Sequence, residues 1–320
     1  MKTLVTGASG LLGRSLMACL ADFPGELIGT AHSRITAPLQ KLDLTDEEAV
    51  RQAFATWSPD LVIHSAAERR PDVVDGDAAR AEHLNVGATA LLAELAAARG
   101  ARFIYLSTDY VFDGKSPPYA VDAKPAPLNA YGRMKLAGED AVRAAYSTKR
   151  DSAFAILRIP ILYGRVENLA ESAVTELAAK LLDGHAFKAE DWAMRYPAHT
   201  DDVARAVALI AEQLMQATPH AAGGTYHFPS GEKFTKYGMA LILAKELAID
   251  PRLIQPDPNP PSGAPRPKDC RLDSSRLDSL GFVSRIHFGE GIREVLLNSR
   301  RRARRDSGTK GAKITFSRLP

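Results

Sequence analysis

From residue 2 to about 160, short aliphatic and β-branched runs alternate with stretches in which apolar residues recur at helical spacing. The runs are Lys2 to Thr6, Leu27 to His32, Leu61 to Ala66, Phe103 to Thr108 and Phe154 to Ile159. Between them lie Leu11 to Ala21, Glu47 to Ala55 and an Ala-rich stretch from Asp77 to Arg99 that Gly100 closes. In the first of these, Leu12, Leu16, Cys19 and Leu20 share one helix face, the side expected to pack on a sheet. Parallel neighbours need a crossover, and a helix is the usual one, so this alternation predicts an α/β unit with a parallel sheet wrapped by helices.

After Gly164 the texture changes to longer helices and loops, which predicts a smaller α/β lobe on the substrate side. The Pro-rich stretch from Pro251 to Pro267 is expected to lack regular structure. The helix expected over Thr200 to Met215, led by Asp201 and Asp202, returns to the first unit. The organisation expected is a core over 1–165 with 195–217 returning to it, a lobe over 166–298, and a mobile basic tail over 299–320.

Composition adds little to this: 45% hydrophobic and 25% charged residues are ordinary for a globular chain. No apolar run approaches the roughly 20 residues that span a bilayer. Charge says more. Residues 300–318 hold eight Lys/Arg and one Asp, a local +7, which leaves the remainder of the chain at −4. A nucleic-acid role is therefore disfavoured for the folded part. The Arg-rich run is most simply a solvated segment, although it leaves a nuclear address open. The first strand begins directly after Met1, leaving no room for a targeting peptide, so a cytoplasmic location is expected. Cys19 and Cys270 are expected to be plain reduced thiols, and no cluster has the spacing of a metal site.

The first candidate chemistry is Gly7-Ala8-Ser9-Gly10-Leu11-Leu12-Gly13, set between a strand and a helix. A dinucleotide needs a tight turn, a backbone bare enough to approach a pyrophosphate, and helix amides aimed at that anion; the three glycines supply these. This predicts a Rossmann-type doubly wound sheet, with Gly7, Ser9, Gly10, Leu11, Leu12 and Gly13 holding the cofactor. After the second strand, Ser33-Arg34 stands where an acidic residue would meet the ribose hydroxyls of NAD. A guanidinium there grips a 2′-phosphate, so NADP is expected, with NAD kept as the alternative. Asp43 and Leu44 are placed to meet the adenine, and Ala66 and Ala67 are small enough to let the dinucleotide lie across the sheet.

The second candidate is Tyr131 with Lys135, four residues apart and hence on one helix face. A phenol near pKa 10 needs about 4 kcal/mol of stabilisation of its anion to shuttle protons at pH 7, and Lys135 with a positively charged nicotinamide is the expected source. Thr108 ends a strand where its hydroxyl can hold a carbonyl oxygen beside Tyr131, and Asn85 is a candidate for completing a proton relay.

The strings GASGLLG (7–13), STDYVFDG (107–114), PLNAYGRMK (127–135), LRIPILYG (157–164) and RPKDCRLD (266–273) resemble the dTDP-4-dehydrorhamnose reductase family of extended short-chain dehydrogenases over roughly residues 1–297. Within it, ERRPDVVD (68–75), RIPILYGRVENLAESAVTEL (158–177), RYPAHTDDVA (195–204) and GTYHFPSGEKFTKYGMA (224–240) are similar to the branch of regulatory β subunits of methionine adenosyltransferase II. The resemblance implies an NADP(H)-binding fold in which Thr108, Tyr131 and Lys135 take the reductase roles, with Asp109 and Tyr110 on the substrate side. For the regulatory branch it implies binding to the catalytic subunit of methionine adenosyltransferase and tuning of S-adenosylmethionine synthesis; for the reductases it implies reduction of a 4-keto nucleotide sugar. Those reductases tend to carry a Trp where this chain has Ile159 to Leu162, and Ile161 offers no flat stacking surface. The tail from Ser299 is longer and richer in Arg than those of the regulatory subunits.

Overall fold

The computed structural model describes residues 1–148, 153–216, 223–229 and 231–307. The elements of the first unit are β1 (Lys2–Thr6), α1 (Leu11–Cys19), β2 (Glu26–Ala31), β3 (Gln40–Lys41), α2 (Glu47–Trp57), β4 (Leu61–His64), α3 (Pro71–Gly76), α4 (Ala78–Glu82), α5 (Ala88–Arg99), β5 (Arg102–Thr108), α6 (Ala130–Tyr146) and β6 (Phe154–Ile159). They are followed by β7 (Leu162–Tyr163), α7 (Thr175–Leu182), β8 (Phe187–Glu190), β9 (Ala198–His199), α8 (Thr200–Gln216) and β10 (Gly224–His227).

A seven-stranded sheet runs in the order β10-β6-β5-β4-β1-β2-β3. Every pairing in it is parallel. The chain winds outward from β1 to β3 and then crosses back to β4, so the direction of winding reverses between β1 and β4. In open α/β sheets that reversal opens a crevice at the carboxyl ends of the strands. The strands are apolar on both sides because helices cover both faces; all of β4 is buried. On one face, Leu12 and Leu16 of α1 pack with Val203, Val207, Ile210 and Leu214 of α8. The other face is covered by Phe54 of α2, Leu91 and Leu92 of α5, and Val142 and Tyr146 of α6. A further core joins Leu177 and Leu181 of α7 to Met239 and Leu243 of the helix Lys236–Leu247, and to Phe288 and Ile292 of the helix Phe288–Ser307.

Two features differ from the expectations above. The Ala-rich stretch is not one regular helix: a π turn over His83–Gly87 separates α4 from α5, and Gly100, at φ +80°, caps the end. The Pro-rich stretch contains a strand, β11 (Ile254–Asp257), paired in parallel with β8. A sheet of only two strands is all edge, so Pro256, which has no N–H to donate, is tolerated there. The helix Phe288–Ser307 extends into the first residues of the basic segment. Residues 308–320 of that expected tail lie outside the described residues. No helix among the described residues is long and apolar enough to cross a membrane.

Candidate functional site

At the reversal between β1 and β4 lies a cleft of about 1050 Å³. The glycine turn forms its floor through close backbone contact. Gly7 has φ +70°, which favours glycine, and a Cβ there would sit 2.9 Å from the Ala66 backbone. A Cβ on Gly13 would lie 2.1 Å from the Gly7 carbonyl oxygen, so strand and helix meet at a distance only glycine allows. The Gly10 amide donates to the Gly7 carbonyl at 2.9 Å, folding the turn back on itself. A Cβ on Gly10 would meet that same oxygen alone, at 3.1 Å, so the side facing the cleft is bare.

Gly7, Ser9 and Gly10 to Gly13 all line this cleft, as do Ser33 and Arg34 beyond β2. Asp43, Leu44, Ala66 and Ala67 line it as well. The Thr45 hydroxyl and amide donate to Asp43 at 2.7 and 2.9 Å and hold its carboxyl below the usual range. Arg34 already has protein partners: it forms ion pairs with Glu167 at 3.4 Å and with Glu171.

The opposite wall comes from α6. Asn129 caps this helix, accepting from the Gly132 amide at 2.8 Å while its own amide donates to the Pro265 carbonyl at 2.8 Å. A Cβ on Gly132 would lie 2.3 Å from the Tyr110 carbonyl, so α6 presses against the end of β5. That approach sets the Tyr131 ring edge-on to Tyr110, with centroids 6.2 Å apart, and brings Tyr131, Lys135, Thr108, Asp109 and Tyr110 into one cleft. The Lys135 ammonium is buried and sits 3.9 Å over the centre of the Tyr105 ring. Burial pushes it down to about 7 against the opposing pull of Glu139. Burial also raises the Tyr131 phenol, more than the Thr108 hydroxyl lowers it. At pH 7 the phenol therefore holds its proton and is a donor, which suits delivery to a carbonyl oxygen.

Asn85 is not among the residues that line the cleft. The π turn sends its side chain to the backbone of Glu68, accepting from the amide at 2.9 Å and donating to the carbonyl at 3.0 Å. Both ends of its amide are thereby used in holding the loop after β4. Ile161 lines the cleft and packs against the core of the second lobe.

Several cleft residues were given no role in the sequence reading. Arg195 and Arg266 lead two of the quoted strings, and with Lys236 they line the substrate-side wall. Arg195 Nη1 donates to the Met194 and Pro267 carbonyls at 3.0 and 3.2 Å, and its Nη2 is buried without a partner among the described residues. Glu171, Arg14 and Arg69 meet near the turn from distant parts of the chain, and no local pattern announces them.

Asp109 yields a test by pH. Burial raises its carboxyl from 3.8 to about 7, with Arg195 pulling the other way. A folded-state pKa above the unfolded one contributes stability below about pH 4 that is lost as pH rises to about 7. Lys135, displaced downward, acts in the separate window above pH 7. Melting curves at pH 4 and pH 7 should therefore show the wild type losing stability relative to Asp109→Asn, by up to about 4 kcal/mol at ~1.4 kcal/mol per pKa unit. Parallel curves for the two proteins would show that Asp109 does not titrate in this range.

The family described as RmlD substrate binding domain matches residues 1–301. Methionine adenosyltransferase 2 subunit beta from Mus musculus is 40% identical over 297 residues, covering 92% of this chain and 87% of that protein. A Streptomyces antibioticus protein named as a probable dTDP-4,6-dihydroxy-2-methyloxan-3-one 4-ketoreductase is 32% identical over 300 residues, covering 92% and 94% of the two chains. Among solved structures, a dTDP-4-dehydrorhamnose reductase from Clostridium acetobutylicum matches with a TM-score of 0.78 at 28% identity, over 92% of this chain and 98% of that one.

Proposed function

The chain belongs to the RmlD substrate binding domain family, alongside methionine adenosyltransferase 2 subunit beta, and from that premise we propose that it is an NADP-binding regulatory subunit of a methionine adenosyltransferase. It binds the catalytic subunit and tunes S-adenosylmethionine synthesis, with the cytoplasm as its place of action. The observation that carries this reading is the 40% identity over 297 residues, which spans the Rossmann unit and the second lobe together. Two features of the cleft support the cofactor: the turn packs so closely at Gly7 and Gly13 that no side chain fits and bare backbone lines the cleft, and Arg34 stands where a 2′-phosphate is expected.

A second reading, an NADPH-dependent reductase of a 4-keto-6-deoxy nucleotide sugar, is favoured by one observation: Thr108, Tyr131 and Lys135 share the cleft, where burial raises the phenol. When bound, the nicotinamide would supply a hydride. In that case Thr108 Oγ1 and the Tyr131 hydroxyl hold the carbonyl oxygen, and Tyr131 delivers the proton. Against it, Ile161 stands in the cleft wall in the stretch where such reductases tend to carry a Trp.

Two assays on the full chain separate these readings. Mixed with a methionine adenosyltransferase catalytic subunit, the chain should co-purify and change the rate of S-adenosylmethionine formation by about twofold or more, and Tyr131→Phe should do the same. NADPH with a 4-keto nucleotide sugar should give no oxidation above background. Should oxidation occur and fall by roughly 10²- to 10⁴-fold in Tyr131→Phe, the general-acid role would be in use and the reductase reading would replace the first.

A further inference from the structure

Residues 165–171 form a strap between β7 and α7, and three arginines of the Rossmann unit reach across to it. Arg14, on α1, donates to the Arg165 carbonyl at 2.9 Å and to Glu171 at 2.7 Å. Arg69, after β4, donates to the Glu171 carbonyl. Arg34, after β2, pairs with the Glu171 carboxylate and, at 3.4 Å, with Glu167. The strap also closes on itself, since the Ser172 hydroxyl donates to Leu162 at 2.7 Å and the Glu167 amide to Glu171 at 2.9 Å. The Glu171 side chain is only 9% exposed, yet it lines the cleft beside the guanidinium that the cofactor's phosphate would need.

We propose that Glu171 is an internal competitor for the phosphate on the adenosine ribose: NADP, and not NAD, draws Arg34 off Glu171 and unties the strap from the edge of β2. This rests on the reading above, in which Arg34 meets the 2′-phosphate. The exchange is favourable because a phosphate monoester carries more charge than a carboxylate and offers Arg a matching fork of oxygens. It is also tolerable for Glu171, which keeps Arg14 and so is not left as a buried charge without a partner. NAD offers Arg34 only a neutral hydroxyl at that position, a weaker partner than the Glu171 carboxylate, so the strap stays tied. The cofactor's identity is thereby converted into the state of a surface segment on the second lobe.

The test is calorimetric titration of the full chain and of Glu171→Gln with NADP and with NAD, together with hydrogen exchange of residues 165–171 in each state. Removing the competitor should raise NADP affinity about tenfold, the worth of one charge-assisted contact, and leave NAD affinity within about twofold. In the wild type the strap amides should exchange faster with NADP than with NAD. An unchanged NADP-to-NAD ratio, with strap amides as well protected under NADP as under NAD, overturns this inference alone. If neither dinucleotide binds the wild type, the cofactor reading falls and takes this one with it. Should the variant fold poorly, the wild-type exchange data decide the matter.

Discussion

Gly13→Ala should cost the protein its dinucleotide affinity by at least about 100-fold, the loss expected when two or more amide contacts to a charged group, at roughly 1.5–3 kcal/mol each, go out of line. The added methyl would lie 2.1 Å from the Gly7 carbonyl oxygen and 2.7 Å from the Ala8 Cα, both backbone atoms that cannot rotate away. Either α1 backs off from β1 or the turn from Gly7 to Gly10 opens, and in both cases the helix amides no longer point into the cleft. Overpacking of this kind also destabilises by about 1–3 kcal/mol. Far-ultraviolet circular dichroism should therefore be recorded beside the calorimetry, so that lost binding is measured on folded protein. Retention of wild-type affinity by a folded Gly13→Ala protein would remove the glycine turn from the site.

The second large effect concerns the fold behind the cleft. Glu139, one turn after Lys135 on α6, is fully buried and accepts from Arg158 Nε and Nη2 at 2.9 and 2.7 Å, from the Ser107 hydroxyl at 2.6 Å and from Arg143 at 2.9 Å. Burial alone would raise its carboxyl, but Arg158, Ser107 and Arg143 together outweigh this and hold it below the usual range. Arg158, itself 2% exposed, reaches on to His227 at 3.2 Å, so one polar network ties α6 to β5, β6 and β10. Glu139→Ala leaves a buried guanidinium uncompensated and should destabilise the protein by about 3–5 kcal/mol, read as a shift in denaturant midpoint. The double variant Glu139→Leu with Arg158→Met should recover most of that loss, since the cost lies in the orphaned charge rather than in any large net worth of the pair. A single-variant loss under about 1 kcal/mol would show that the network is not what joins these elements. The Ala variant should also lower the Lys135 pKa further, because Glu139 is the charge that raises it.

How far the site could be read in the sequence depended on how local its physics is. The glycine turn was readable because turn, bare backbone and helix start all fall within Gly7 to Gly13. Tyr131 and Lys135 were readable because four residues is one helical turn. Asn85 was harder: a π turn is invisible to helical periodicity, and it sends the side chain to Glu68 rather than into the cleft. Arg34 was correctly seen as a cation after β2, but its partners lie more than 130 residues away, and no spacing rule connects them. The strand at Ile254–Asp257 was hidden by its proline, which a two-stranded edge accommodates and a central strand would not.

Taken alone, the order of residues determined the α/β class, the place of the glycine turn and the facing of the phenol and ammonium on α6. Each follows from backbone periodicity and steric limits acting over a few residues. The tertiary structure alone decided which charges meet: Glu171 with Arg14 and Arg34, Glu139 with Arg158, and Arg195 with an Nη2 that has no hydrogen-bond partner among the described residues. The reason is that Coulombic and hydrogen-bond partners are chosen by distance in space, which packing of the sheet and second lobe sets and which separation along the chain does not encode.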